Sequence, residues 1–532
     1  MAEGLIDEEL RKGLPPAVAT ALAHWAADND HHYGFDRWLV NGRSGAQVAL
    51  VRESDRLRGT VRRLLMKVDS AKEESFGPIE FTRHRRARAD AEDFAARHLS
   101  HPVHGPVRVD GTTWITFQTI AGETFDDVQV LTVLLRRMLD QAPAAPGLPV
   151  YPPRAVTDCC VEVVRAVLAE WAVHPWLDPD AEPLSVGGFL AEFVPGHLAQ
   201  GGRLHEAARR HQGEQIVLDD EPGPLPNPFA AAQGGCFSAA PLIRPLRGRC
   251  HGDLHTDNTL VRAAPLLDLG DFYLIDNAHY RKDGLLARDP VHLVLYVVAR
   301  TLDTVSAAGR SALIDLLLDP RDGPAALVPG WLGDLVTGVE RVGSAWVEPS
   351  GLVPEWRQQT LLSLAGCALV FLGRASVPEA DKPWFLRLAA RALQQFAERN
   401  PGSLRSGGPA PTDPGVAATG WIAALCLDLP AAAAEAARQG EARTAELEEL
   451  RDAALSGLDR TEAYREFVRS LGGPDPDPRY GTRGTEGRPE AHEAFVCPLG
   501  ACARRERREP GEARPSCHLG RDGAEPLLST LG

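Results

Sequence analysis

Apolar residues recur at two different spacings along this chain, and the spacing changes near residue 128. Before that point, short apolar runs are bounded by Gly, Asn, Asp and Ser, which is the pattern of strands joined by turns. Residues 35–40, 47–51, 64–68 and 114–120 each predict a strand. Ahead of them, residues 5–29 place Val18, Ala21, Leu22 and Trp25 at helical spacing and predict a leading helix. After 128 the helical period dominates, in 130–139, 155–171, 188–194, 293–302, 312–318, 332–346, 356–372 and 384–398. The segment 363–372 is almost wholly apolar and predicts a buried helix, and Cys159 and Cys160 predict small core residues. Residues 200–235 shift to Gly, Pro, Glu and Asn and predict an exposed insertion or a substrate-side loop. The fold class that follows is α+β, with a small β-rich part preceding a mainly helical one.

A length of 532 residues exceeds what one core usually supports, so several modules are expected. Their boundaries are placed at 1–34 for the leading helix, 35–122 for the β-rich part, 123–400 for the mainly helical part and 401–532 for an extension. That extension opens with a Gly/Pro/Ser-rich linker at 400–416 and continues with Ala/Glu/Arg/Leu helices at 431–458 and 462–471. Residues 472–492 are polar enough to predict disorder. The net charge of −15 argues against broad binding to nucleic acid, which requires a basic footprint. No uncharged apolar run approaches the ~20 residues of a membrane span, so no membrane partner is expected. The first residues lack a basic segment followed by an apolar core, and nine scattered cysteines do not form a secreted disulfide framework. A cytoplasmic protein is expected. Basic charge rests almost wholly on arginine, which together with the Ala/Gly/Pro richness suggests a GC-rich bacterial genome.

The chemistry concentrates in His251-Gly252-Asp253-Leu254-His255-Thr256-Asp257-Asn258, followed by an apolar run ending at Ile275-Asp276. It offers a carboxylate, a carboxamide five positions on, and a second carboxylate at a strand end. Metal-assisted phosphoryl transfer needs such a set: one acid for the attacking hydroxyl, and an amide oxygen and another carboxylate for Mg2+ on the phosphates. A hairpin of 259–261 with 272–275 would return Asp276 to the side of Asn258. A lysine in the middle of an apolar strand, Lys67, needs a partner or a ligand, because an unpaired buried charge is costly. Glycines on the hairpin tip carrying Gly42, Ser44 and Gly45 would let backbone amides approach a triphosphate.

His251, Gly252, Asp253, His255, Asn258 and Asp276 together resemble the Brenner motif of the aminoglycoside phosphotransferase and choline kinase families, which share the protein-kinase fold. The resemblance implies a bilobal kinase-like architecture, ATP and Mg2+ as cofactors, and a small-molecule hydroxyl as acceptor. It implies Asp253 as catalytic base and Asn258 and Asp276 as magnesium ligands. Lys67 would reach the nucleotide phosphates and pair with a helix glutamate, Glu92 by its place before His101-Pro102-Val103, with Glu80 as the alternative. Backbone groups from Gln118 to Ile120 would meet an adenine edge. His251 is expected to brace the loop, and Asp289, in Arg288-Asp289-Pro290, to cap a helix and brace the loop as well.

Two further expectations concern the extension. Cys497, Cys502, Cys517 and His518 supply four soft ligands that could hold one Zn2+, with free thiols as the alternative. A module beyond residue 400 also suggests a protein partner. The competing function is a kinase-like adaptor that transfers nothing, within a bacterial signalling or defence complex; retention of Lys67, Asp253, Asn258 and Asp276 speaks against it. A protein kinase is disfavoured by the lack of Asp-Phe-Gly and Ala-Pro-Glu motifs.

Overall fold

The computed structural model describes residues 4–39, 47–119, 128–139 and 151–404, with short gaps at 71–72, 75–76, 173, 176, 178–182, 195, 200, 220, 239–240, 265 and 322–324. Beyond 404 it describes 425, 429, 432–455, 461–470 and short stretches after 493. The chain divides into two compact units, Met1–Leu404 and Arg405–Gly532.

The leading segment is two helices rather than one, α1 (Glu8–Gly13) and α2 (Pro16–Asp28). Pro15 and Pro16 cause the break: a proline suits the first turn of a helix but cannot continue one. The first strand, β1 (His31–Trp38), starts earlier than the sequence pattern predicts and pairs antiparallel with β2 (Gln47–Asp55). β3 (Thr60–Ser70) follows. The chain then crosses through α3 (Ile79–Asp90) and α4 (Glu92–His98) before completing the sheet. Its remaining strands are β4 (His101–Pro102), β5 (Val107–Arg108) and β6 (Thr113–Thr119). The spatial order is β1-β2-β3-β6-β4, with β5 also on β6.

This sheet is covered on both faces, and the two-residue alternation of each strand decides what goes where. Leu64, Met66 and Val68 of β3 pack with Ala49, Val51, Tyr33 and the apolar sides of α1 and α2. Leu65 of the same strand faces the other way and packs with Leu50, Val128, Val130, Leu260 and Tyr273. Lys67 is in phase with Leu65, so it points to that second face, toward the rest of the unit.

There β7 (Val128–Val130) pairs with β9 (Thr259–Arg262), and β9 with β10 (Asp268–Leu274), while β8 (Arg247–Cys250) pairs with β11 (Arg281–Leu285). Around these strands pack α5 (Leu131–Met138), α6 (Pro153–Ala166), α7 (Arg288–Thr301), α8 (Ala307–Leu318), α9 (Gly330–Val347), α10 (Val353–Leu372) and α11 (Lys382–Arg399). α10 is buried on nearly every side from Leu361 to Leu372, as its composition predicts. Cys159 and Cys160 are core residues of α6, and burial pushes the Cys160 thiol up to about 12. Among the described residues, no helix is long and apolar enough to cross a membrane.

The stretch 200–235 exposes much of its length, Val217 among it, but is anchored at single buried side chains. Leu204, Ile216, Leu225, Phe229 and Ala231 are buried in the main core. Asn227 holds the segment together: its side-chain amide donates to the carbonyls of His211 and Gly213, and its oxygen accepts from the amide of Phe229 at a helix start. Widely spaced single anchors leave no periodic signature, which is why composition alone pointed outward.

The second unit contains helices at Glu441–Leu455 and Thr461–Ser470, within which Leu447, Leu450, Tyr464 and Phe467 are buried. The polar stretch 472–492 lies outside the described residues.

Candidate active site

The loop from β8 to β9 is held by one carboxylate. Asp289, fully buried in the first turn of α7, accepts from the amide of His251 at 2.6 Å and from that of Gly252 at 2.9 Å. It braces the loop as expected but makes no capping bond to its own helix. Burial pushes its carboxyl above the usual range, while the His251 ring and these two amides pull it back. Gly252 has φ +79°, and a Cβ there would run into the carbonyl oxygen of His279, so only glycine fits. The His251 ring reaches the carbonyl of Ile275 through Nε2 at 2.9 Å and thereby ties the loop to the end of β10.

Strand pairing then sets the distance between the two oxygen donors. Thr259 lies opposite Leu274, and the amide of Ile275 donates to the carbonyl of Asn258 at 3.0 Å. Asn258 closes the loop by donating its amide nitrogen to the carbonyl of Asp253 at 3.1 Å. Its carbonyl oxygen is therefore the atom a cation would use. Asp276 sits just past β10 with φ +61°, a left-handed conformation that aspartate tolerates better than most residues and that recurs where side chains are aimed for function. An amide oxygen and a carboxylate are the hard donors Mg2+ takes, so the residue types fit the ion.

Opposite them stands Lys67. Its ammonium lies 2.5 Å from Glu80, 3.3 Å from Asp276 and 3.6 Å from Asp69. Burial works against the charge, but Glu80 and Asp276 outweigh it and hold the ammonium protonated far above the usual lysine range. For Asp276, too, the lysine overcomes burial and keeps the carboxyl below its usual value. Glu80, more deeply enclosed, is lifted by burial to about 7. α3 is anchored to the turn after Asp276: Arg83 donates to the carbonyl of Ala278 at 2.6 Å, and the side-chain nitrogen of Asn277 meets His84 Nδ1 at 2.8 Å. The helix thus carries Glu80 to Lys67.

Glu80, not Glu92, is the partner of Lys67. Residues 80–99 do not form one helix: the chain turns out of helical geometry at Ala91, and Glu92 begins α4 with its side chain in solvent. Gln118 is also placed differently from expectation. It lies inside the sheet between β3 and β4, and its side-chain oxygen accepts from Ser100 at 2.6 Å, so it does not offer a free strand edge. Ile120, Gly42, Ser44, Gly45, Cys497, Cys502 and His518 lie outside the described residues. Cys517 falls in a two-residue strand, Ser516–Cys517.

Asp253 has a shell the sequence did not announce. Arg374 Nη2 donates to Oδ1 at 2.9 Å and also meets His292 Nε2 at 2.9 Å. His292 donates Nδ1–H to the carbonyl of Leu254 at 2.8 Å, which leaves Nε2 as an acceptor for the arginine. His255 Nε2 stands 3.4 Å from Oδ2, its ring stacked on Tyr296 at 4.3 Å. Tyr296 in turn donates to Asp257, which also pairs with Arg300 at 2.9 Å. Burial pushes Asp253 upward, but His255 and Arg374 overcome it and hold the carboxyl well below the usual aspartate range. The one signal in the sequence was a lone arginine right after an unbroken apolar helix.

No family model and no curated protein matches the sequence. Among solved structures, the chain is similar to an amicoumacin kinase solved with AMP-PNP and Ca2+, at 11% identity over 69% of this chain and 88% of that one, with a TM-score of 0.29. It is similar to a glucosamine kinase solved with glucosamine, ADP and inorganic phosphate, at 11% identity over 73% and 87%, with a TM-score of 0.34. A microcompartment-associated aminopropanol kinase matches at 13% identity over 73% and 99%, with a TM-score of 0.31. Likeness of this degree says nothing about the chemistry of individual residues.

Proposed function

We propose that the chain is an ATP-dependent phosphotransferase of two-lobed, kinase-like architecture that moves the γ-phosphoryl group to a hydroxyl of a small molecule. The observation that carries this reading is Lys67 bridging Glu80 and Asp276 at 2.5 and 3.3 Å, across from a loop that presents Asp253 and Asn258. Lys67 would hold the nucleotide phosphates, with Glu80 fixing its position. Asn258 and Asp276 would hold Mg2+, which when bound neutralises charge on the phosphates. Asp253 would orient the acceptor hydroxyl and take its proton. A depressed pKa makes Asp253 a weak base, which suits a loose transition state in which the proton leaves late and positioning supplies most of the rate.

The test is transfer of labelled γ-phosphate with Mg2+ to a panel of amino alcohols, sugars, aminoglycosides and proteins. Transfer to at least one small hydroxyl compound, lost in Asp253→Asn, is the expected result. Transfer only to proteins, or none to any acceptor, would sink it.

One observation favours the second reading, the kinase-like adaptor. Both oxygens of Asp253 already have partners within 3.4 Å, so the group is engaged before any acceptor arrives. In that reading ATP raises the melting temperature while no acceptor is phosphorylated, and residues 401–532 serve a protein partner.

A further inference from the structure

The sheet face opposite Lys67 carries a polar cluster inside an otherwise apolar layer. The β1–β2 register sets Tyr33 across from Glu53, and the β2–β3 register sets Glu53 across from Arg62. His31, two residues before Tyr33, shares its side of the strand. His104, from the loop joining β4 to β5, closes over the group. The side chains of His31 and Glu53 keep 9% and 1% of their surface exposed and that of His104 13%, so the cluster is enclosed on nearly every side.

Glu53 Oε2 lies 2.6 Å from His104 Nε2 and 3.6 Å from His31 Nδ1, and the three ligand atoms all fall within 4.8 Å of one another. Tyr33 donates to the same oxygen at 2.7 Å and is itself held by Trp25 Nε1 at 3.1 Å. Arg62 takes the other oxygen, Oε1, at 2.6 Å and also approaches His104 Nε2 at 3.1 Å. Burial pushes the Glu53 carboxyl up, but hydrogen bonds from His104 and Tyr33 outweigh it and hold it at about 2, so it is a carboxylate at any working pH.

One atom in this group is unexplained. His31 Nδ1 is buried and finds no hydrogen-bond partner, whereas buried ring nitrogens nearly always have one. At 3.6 Å it is too far from Oε2 for a hydrogen bond. That separation is instead close to the roughly 3.3 Å between two ligands on a tetrahedral ion with bonds of about 2.0–2.1 Å.

We propose that His31, Glu53 and His104 bind a divalent transition-metal ion of the zinc class, with Glu53 ligating through Oε2 alone and water in the fourth position on the His104 side. Two imidazoles and one carboxylate select zinc, cobalt or nickel over magnesium. Arg62 keeps Oε1 engaged and Tyr33 steadies Oε2, the outer hydrogen bonds that fix a ligating carboxylate. His104 has to move: its Nε2 must back away from Oε2 by about 0.7 Å to reach a ligand separation. The proton it now donates shifts to Nδ1 or leaves to water, so metal uptake is proton-linked. A partly exposed loop residue can make that movement, which also ends its contact with Arg62. The ion would pin β1, β2 and the β4–β5 loop together behind the proposed nucleotide site, and the site does not depend on the phosphotransferase reading.

The test uses the full chain carrying Cys497→Ser, Cys502→Ser and Cys517→Ser, which removes the other cluster of soft ligands. After metal is stripped with a chelator, Co2+ is titrated in and followed by visible absorption, and Zn2+ binding is measured by equilibrium dialysis. One equivalent should bind, with ligand-field bands and no thiolate charge-transfer band. His31→Ala and His104→Ala should each weaken binding by more than the roughly 10–100-fold that losing an outer-shell partner costs. His32→Ala is the control, because the strand turns His32 to the other face. Should His31→Ala fail to fold, the place of His104 in a loop rather than in a central strand keeps the second variant informative. No binding by the chain carrying the three serine substitutions, or binding unchanged in His104→Ala, overturns the proposal.

Discussion

Arg374 Nη2 donates to Asp253 Oδ1 at 2.9 Å, and the same nitrogen meets His292 Nε2 at 2.9 Å. A single guanidinium nitrogen therefore bridges a carboxylate and a neutral imidazole, and fixes the rotation of the acid proposed to receive the acceptor hydroxyl. Its plane lies over Phe371, 4.6 Å from the ring centre, so the arginine is packed as well as paired.

That geometry fixes a pH dependence. Asp253 has a folded-state pKa depressed below its usual value, so its contribution to stability is present above about pH 4 and lost as pH falls below it. The base is also ionised throughout the working range. Arg374→Gln removes one of the groups holding the value down, after which the acid limb of kcat/KM should move to higher pH. A merely structural arginine would lower kcat/KM equally at every pH, and that outcome would remove its positioning role.

Asp253→Asn tests the base directly. Turnover should fall by about 10²–10⁴, the range for a positioned proton acceptor. ATP affinity should stay within a few-fold of the parent, because no phosphate contact is proposed for this side chain. Unchanged turnover would transfer the role elsewhere.

Glu80 and Glu92 can be told apart by the same substitution. Glu80→Gln takes a carboxylate from 2.5 Å of a buried ammonium. Removing one partner of a buried pair costs roughly 3–5 kcal/mol, and less is expected here because Asp276 and Asp69 remain within 3.6 Å of Lys67. Nucleotide Kd should rise about tenfold, or about 1.4 kcal/mol, as Lys67 relaxes toward the remaining acids. Glu92→Gln, at an exposed position, should leave both quantities within about 0.5 kcal/mol. Equal effects of the two substitutions would contradict the pairing seen in the structure.

How much of this was legible in the sequence depends on how local the signal was. The alternation that sends Lys67 to one face and Met66 to the other can be read over five residues, and β3 follows it. So can the hairpin, because Thr259 pairs with Leu274 and sets Asn258 and Asp276 at neighbouring strand ends. The lysine's partner could not be read this way. No glycine or proline marks the break at Ala91, so residues 80–99 read as one helix and both glutamates looked equivalent. Arg374 is 121 residues from Asp253, and only the packing of α10 against α7 brings it there. Residues 200–235 failed for a third reason: their core contacts come from isolated side chains with no period to detect.

Asp289 offers a prediction in which stability and activity separate from nucleotide binding. Its two oxygens accept from two consecutive buried amides, those of His251 and Gly252. Asp289→Ala strands both, at about 1–3 kcal/mol for each unsatisfied donor. Asp289→Asn should be intermediate, because its oxygen can serve one amide while its own NH2 faces the other. Denaturant unfolding should thus rank the parent above Asn and Asn above Ala, by about 2 kcal/mol per step. Gly252 sits one residue before Asp253, in a conformation only glycine adopts easily, so a loop released from Asp289 loses the orientation of the base first. Turnover should therefore fall in both variants while ATP affinity, proposed to rest on Lys67 and Asp276, stays near that of the parent. If Asp289→Asn unfolds at the same denaturant concentration as the parent, the two amides are not held by this carboxylate.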